Sequence, residues 1–191
     1  MICASSLTAC LNCGEPVSWR VITYRLPAEP SRHRVAVWRE LRRLGAVALQ
    51  QGTWAVPDGE PFTAGLAQVI EAIKAAGGQP VVLAIAEEEA GTARLEELFT
   101  AQREAEWGEF LSDCGKYEAE LAGEIAKEKF TLAELDEEEQ NLDRLRRWYR
   151  TIRVRDLFGA PSAPAAERRL KECDEALEDF AERVYQARGR P

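Results

Sequence analysis

Residues Trp19 to Pro57 read WRVITYRLPAEPSRHRVAVWRELRRLGAVALQQGTWAVP, and they pass through three kinds of local structure. WRVITYRLP is rich in β-branched and aromatic residues and stops at Pro27, as a strand does. PAEP breaks the chain. Ser31 is then placed to cap a helix running to about Leu44, with Val35, Trp38, Leu41 and Leu44 on its inward face and Gly45 as its stop. AVALQ and TWAVP are short strands joined by a tight turn at Gln51-Gly52.

The pattern repeats outward from there. PFTAGLAQVIEAIKAAGG carries Leu66, Val69, Ile70 and Ile73 at helical spacing and halts at Gly77-Gly78. PVVLAIAE has the length and apolarity of a buried strand. The order β-α-β-β-α-β is the ferredoxin-like or split βαβ arrangement. It predicts a four-stranded antiparallel sheet with both helices on one face, leaving the other for a second domain or a dimer partner. After Gly91 the pattern is helical throughout. Leu95, Leu98 and Phe99 open a long amphipathic run that continues through Phe110, Leu111, Cys114, Leu121 and Ile125. Thr131-Leu-Ala-Glu134 is a capping box opening the next helix, with Leu135, Leu142, Leu145, Tyr149 and Ile152 as its stripe. FGAPSAPA is a break, and Leu170, Cys173, Leu177, Phe180 and Val184 follow at coiled-coil spacing. The expected class is α+β: a disordered leader over residues 1–17, a ferredoxin-like domain over 18–90, and a coiled-coil-like antiparallel helical bundle or hairpin over 91–191.

The chain has 191 residues and a formal charge of -8, but the charge is segregated. Val17 to Pro57 holds seven arginines against Glu29 and Glu40, whereas Glu87 to Asp143 holds 19 acids and 5 bases. Arg144 to Arg155 holds six arginines and no acid. Recognition depends on the local patch, so an acidic pI does not exclude an anionic partner. No apolar run approaches the roughly 18 residues that span a membrane, and the N-terminus lacks the pattern of a secretory signal. A cytoplasmic location is expected.

Two cationic constellations stand out. Arg32, His33 and Arg34 occupy the first turn of the first helix, where exposed N–H groups already carry partial positive charge and an incoming anion would relieve the crowding. Arg20 and Arg25 lie on the preceding strand, and Arg39, Arg42 and Arg43 extend the charge along the helix. A simply solvated helix face is the alternative. The second constellation is RLRRWYRTIRVR, where Arg146, Arg150 and Arg153 form an exposed stripe with Arg147 beside it. It suits a phosphate-tracking helix, but also pairing with the acidic helix before it, through Glu118, Glu120, Glu124 and Glu128. Trp148 either stacks on a base or packs on the other domain.

Little supports catalysis or metal binding. There is one histidine, no recognisable Ser or Cys nucleophile motif, and no glycine-rich phosphate loop. Glu134 to Asp143 reads as a solvated acidic face favoured near a helix N-terminus. Cys10-Leu-Asn-Cys13-Gly looks like half a zinc ribbon, but zinc needs about four ligands and no second pair follows. Five cysteines, an odd number, do not form a complete disulfide framework. The expected reading is a non-enzymatic protein with no metal or cofactor, and with Cys3, Cys10 and Cys13 on the leader.

The aromatic strand, the LP-x-x-P-S turn, R-x-x-x-W-R-x-L-R-R-x-G-A and the Q-x-G-x-W-x-x-P hairpin together resemble the N-terminal domain of ChrB, a protein of bacterial chromate-resistance operons. The similarity runs more loosely to Tyr185. A more distant similarity is to the middle domain of PaaX-type repressors, and through it to CRISPR-adaptation nucleases of ferredoxin fold. The resemblance implies a DNA-binding regulator of a chromate efflux operon that senses chromate and releases its promoter. Promoter DNA, chromate or a similar oxyanion, and a second copy of the chain in a homodimer assisted by the helical bundle are the expected partners. Arg20, Arg25, Arg32, His33, Arg34, Arg39, Arg42, Arg43, Arg146, Arg147, Arg150 and Arg153 are the candidate anion or DNA contacts. ChrB proteins commonly continue into a C-terminal domain, whereas this chain ends at Pro191, so a stand-alone or split version is expected. The nuclease-like relatives end their first strand with a metal-binding aspartate; here that end reads Tyr24-Arg25-Leu26-Pro27, which disfavours metal-dependent cleavage. The alternative function is a non-enzymatic interaction module or homodimerising accessory protein of chromate resistance.

Overall fold

The computed structural model describes residues 17–85 and 89–189. The expected leader with Cys3, Cys10 and Cys13 lies outside the described residues, apart from Val17. The elements follow in the order β1 (Trp19–Arg25), α1 (Ser31–Leu44), β2 (Val47–Gln50), β3 (Thr53–Pro57), α2 (Phe62–Ala75), β4 (Gln79–Ile85), α3 (Glu89–Ala126), α4 (Leu132–Arg155) and α5 (Ala163–Arg188). The chain divides into two compact units, the second starting at Leu98.

In the first unit the sheet order is β2-β3-β1-β4, and every neighbouring pair is antiparallel. This is the ferredoxin-like α+β arrangement that the element order predicts. Ile22 stands opposite Trp54 and Val82, and Val21 opposite Ala55 and Leu83. β3 lies inside the sheet, and its Trp54, Ala55 and Val56 are all buried. β4 corrects an expectation. Its apolar run is an edge strand rather than a buried one, with Val81 and Leu83 half-exposed. An apolar run of this length fits either position, and only the pairing order tells them apart. The β2–β3 turn needs its glycine: Gly52 has φ +74°, and a Cβ there would lie 2.6 Å from the Tyr24 carbonyl oxygen. The Tyr24 N–H donates to the Gly52 carbonyl at 2.9 Å, which ties the hairpin back to β1.

Helix α1 begins and faces differently from the sequence expectation. Its N-cap is Pro30, with no side-chain capping bond, and Ser31 is already inside the helix. The His33 N–H instead returns to the Pro30 carbonyl at 3.2 Å. The buried residues are Val37 and Leu41, while Val35 and Trp38 are 44% and 51% exposed. Two apolar stripes coexist in this helix, and residues three or four apart share a face. Packing selected the Val37–Leu41 stripe and left the Val35–Trp38 stripe outside. Gly45, at φ +86°, ends the helix as expected. Helices α1 and α2 pack closely, since a Cβ on Gly65 would collide with Leu44 Cδ1. On α2, Phe62, Leu66, Val69 and Ile73 are buried.

The second unit joins α4 and α5 to the body of α3. Its core contains Trp107, Phe110, Cys114 and Leu121 from α3, Leu135, Leu142, Leu145 and Ile152 from α4, and Cys173, Leu177, Phe180 and Val184 from α5. Thr131 Oγ1 accepts from the Glu134 N–H at 3.2 Å, so the predicted cap forms. The Trp107 indole N–H donates to Asp156 Oδ2 at 2.9 Å, and Asp156 Oδ1 also accepts from the Ala160 N–H at 3.0 Å. One buried carboxylate thereby fastens α3 to the turn after α4. Trp148 packs edge-on against Phe110 with ring centroids 5.6 Å apart, so it belongs to this bundle's own aromatic core.

Candidate anion and nucleic-acid interface

The outward face of α1 collects Arg32, Val35, Trp38, Arg39 and Arg42, all exposed. Among the described residues no ion pair holds Arg32 or Arg39, nor Arg25 at the end of β1, which is likewise exposed. Arg32 and Arg39, seven positions apart, lie along one side of the Val35–Trp38 ridge. Neither acid nor side-chain cap occupies the first turn of the helix.

The remaining basic candidates of this unit have other work. Arg20 pairs with Asp58 through Nε at 2.8 Å. That hydrogen bond holds the Asp58 carboxyl below the usual carboxylate range and raises the Arg20 guanidinium above its ordinary value. Arg34 Nη1 donates to the Ala28 carbonyl and, at 3.5 Å, to the Pro27 carbonyl, so it fastens the PAEP turn onto α1. Arg43 donates through Nε to Glu40 Oε2 at 3.1 Å and through Nη2 to Gln68 on α2 at 3.5 Å. His33 is half-buried, on the side of the helix that holds Val37. The sheet unit thus presents Arg25, Arg32 and Arg39 outward with no ion pair among the described residues, and engages Arg20, Arg34 and Arg43 in its own architecture.

On α4 the predicted stripe is broken. Arg146 lies in the seam with α5, donating through Nε to Asp174 at 2.9 Å and through Nη1 to Asp143 at 3.0 Å. Arg147, Arg150 and Arg153 remain exposed, with no ion pair among the described residues. The acidic helix does not neutralise them. Glu118 pairs with Arg169 on α5 at 2.6 Å, and Glu124 takes Lys127 and Lys129 at 2.9 and 3.0 Å. Arg155 does reach α3, pairing with Glu106 at 2.9 Å.

Glu106 also accepts from Arg103 at 3.0 Å, and the Arg103 side chain is fully buried over the Phe99 ring at 4.7 Å. Burial lowers the Arg103 pKa from its ordinary value, and Glu106 partly restores it. Sequence reading passed over this cluster because Arg103 sits in the apolar register of α3, four residues from both Phe99 and Trp107. That spacing is the signal that marks it as interior. A cleft of about 510 Å³ beside α5 is lined by Glu167, Arg168, Lys171 and Asp174 among others, and its mixed charge favours no one sign of ligand. Among the described residues no group of three or more His, Cys, Asp or Glu is placed to hold a metal, and no helix is long and apolar enough to cross a membrane.

Residues 34–191 match the family model described as "Protein ChrB, N-terminal". The match begins inside α1, so it includes Arg34, Arg39, Arg42 and the whole helical unit, while β1 precedes it. No curated protein and no solved structure matches the chain.

Proposed function

Because the chain belongs to the ChrB N-terminal family, a family associated with chromate-resistance regulation, we propose that it is a chromate-responsive DNA-binding regulator of a chromate-resistance operon. The observation that carries this reading is the outward face of α1, where exposed Arg32 and Arg39, with no ion pair among the described residues, share the face with exposed Val35 and Trp38. Arginine forks suit phosphate oxygens and tetrahedral oxyanions alike. Promoter DNA and chromate would therefore be anions of one recognition chemistry, and release on chromate binding follows when the two compete for shared guanidinium groups or favour different arrangements of them. Arg147, Arg150 and Arg153 on α4 offer a second cationic strip for the DNA backbone. The protein acts in the cytoplasm as a homodimer, with no cofactor and no catalytic step.

The test is a gel-shift titration against DNA upstream of the protein's own operon, with and without chromate. Six phosphate contacts would weaken binding about a thousandfold between about 50 and 200 mM salt. Chromate should release the DNA, and Arg32→Glu with Arg39→Glu should abolish the shift while the protein stays folded. Binding that ignores both salt and chromate overturns the proposal.

A second reading, a protein-interaction module of chromate resistance, is favoured by a further observation on β4: Val81 and Leu83 are large apolar side chains left exposed, as Val35 and Trp38 are on α1. It predicts a tight complex or homodimer and no DNA shift at micromolar protein.

A further inference from the structure

Cys114 on α3 and Cys173 on α5 are both fully buried, reduced thiols in the core of the helical unit. Cys173 Sγ lies 3.9 Å from the backbone oxygen of Cys114 and 3.7 Å from Glu118 Oε1, one helical turn further along α3. The thiol of one helix therefore rests on the turn that carries the thiol of the other, beside a carboxylate. Interaction with the Cys173 thiol lowers the Cys114 pKa from the ordinary thiol value, while interaction with Cys114, together with burial, raises that of Cys173. Two cysteines used only as small apolar fillers need no such donor, acceptor and carboxylate set.

The surrounding core is not uniformly apolar. Among the described residues Tyr117 Oη and Glu138 Oε2 are buried with no hydrogen-bond partner, and Tyr117 follows Cys114 by three residues on the same face of α3. Buried polar atoms without partners are uncommon and mark places where a small polar guest finds donors and acceptors.

We propose that Cys114 and Cys173 are a reversible redox pair, which a hydroperoxide-class oxidant closes to a disulfide between α3 and α5. The Cys114 sulfur attacks one peroxide oxygen and the O–O bond breaks. The leaving hydroxide takes up the Cys114 proton as water, and Cys114 becomes a sulfenic acid. The Cys173 sulfur then attacks the Cys114 sulfur, the S–O bond breaks and the S–S bond forms. The departing hydroxide receives the Cys173 proton by way of Glu118 and leaves as a second water. Two thiols lose two electrons, and one hydrogen peroxide gains them. The bond closes a loop containing all of α4, which restricts the unfolded chain and locks the bundle.

The experiment uses the full chain with Cys3, Cys10 and Cys13 replaced by alanine, treated with hydrogen peroxide and then with dithiothreitol. Intact mass should fall by two hydrogens, peptide mapping should recover a Cys114–Cys173 cross-link, and the thermal midpoint of the helical signal should rise. Dithiothreitol should reverse all three, and Cys114→Ser or Cys173→Ser should abolish them. A folded chain that stays at its reduced mass, or that gains oxygen on either thiol without cross-linking, overturns the proposal. The mass measurement on the unsubstituted pair needs neither serine variant, so it decides the matter even where those variants fold poorly.

Discussion

On α1, exposed Arg32 and Arg39 share the outward face with an exposed tryptophan and have no ion pair among the described residues, whereas the arginines that join the helices of the second unit are threaded into carboxylates. Arg155 meets Glu106, Arg146 meets Asp174 and Arg169 meets Glu118, at 2.9, 2.8 and 2.6 Å. The same side chain has two physical lives here. Where acids are sparse, as between Val17 and Pro57, guanidinium groups remain at the surface and create a positive potential. Where acids are plentiful they become cross-links between helices, and their charge is consumed inside the fold. The net charge of the whole chain, -8, describes neither situation. Arg147, Arg150 and Arg153 sharpen the contrast, because they stay exposed within the acid-rich unit.

The largest expected effect comes from breaking a cross-link. Glu106→Ala strips away the carboxylate shared by fully buried Arg103 and nearly buried Arg155. Desolvated guanidinium groups deprived of this shared carboxylate should cost the helical unit about 3 kcal/mol, read from urea unfolding of its helical circular dichroism. A loss below about 1 kcal/mol would show that solvent reaches the cluster, and the contrast between the units would weaken. Next in size is Thr131→Ala, which removes the acceptor of the Glu134 N–H at the start of α4. A lost N-cap should cost about 1 kcal/mol by the same measurement.

A smaller effect is expected from pH. Glu138 is buried in the bundle, and desolvation raises its carboxyl above the usual range, with the nearby carboxylates Glu120, Glu137 and Glu124 adding to the shift. A carboxyl whose folded pKa is raised favours folding while it is protonated, and that contribution fades as pH climbs from the ordinary glutamate range through the raised value. Glu138→Gln should therefore gain thermal midpoint relative to the parent protein as pH rises through that window, and show little difference below it. A difference independent of pH would assign the effect to packing instead.

How much of this was legible in the sequence depends on the kind of information each feature needs. The order of elements followed from short-range signals: the proline-bounded strand, Gly45 and Gly52 at left-handed positions, and the Thr131–Glu134 box. The stripes of α4 and α5 followed from periodicity, because each of these helices has one dominant apolar face. α1 has two, Val35–Trp38 and Val37–Leu41–Leu44, and periodicity cannot choose between them. The choice belongs to the sheet and to α2, which are distant in sequence. β4 failed for a related reason, since an apolar run does not reveal whether a strand is central or at an edge. In the candidate site, clustering of arginines was visible, but which of them were already engaged was not. Arg34 is held by backbone carbonyls of its own turn and Arg146 by Asp174, 28 residues away.

The smallest expected stability change is also the one that discriminates most. Arg32→Glu with Arg39→Glu reverses two charges that touch no carboxylate in the described residues, so unfolding should move by no more than about 0.5 kcal/mol. If these groups are surface potential, their loss appears elsewhere: DNA affinity falls, and the slope of log affinity against log salt becomes shallower by about 0.9 for each phosphate contact removed. If they are cross-links like those of the helical unit, the order inverts, with stability falling markedly and the salt slope unchanged. Measuring unfolding and the salt slope on one double variant therefore decides between the two uses of arginine at the very face on which the regulatory reading stands. Arg147→Glu with Arg150→Glu, carried through the same pair of measurements, shows whether the exposed strip on α4 shares that use.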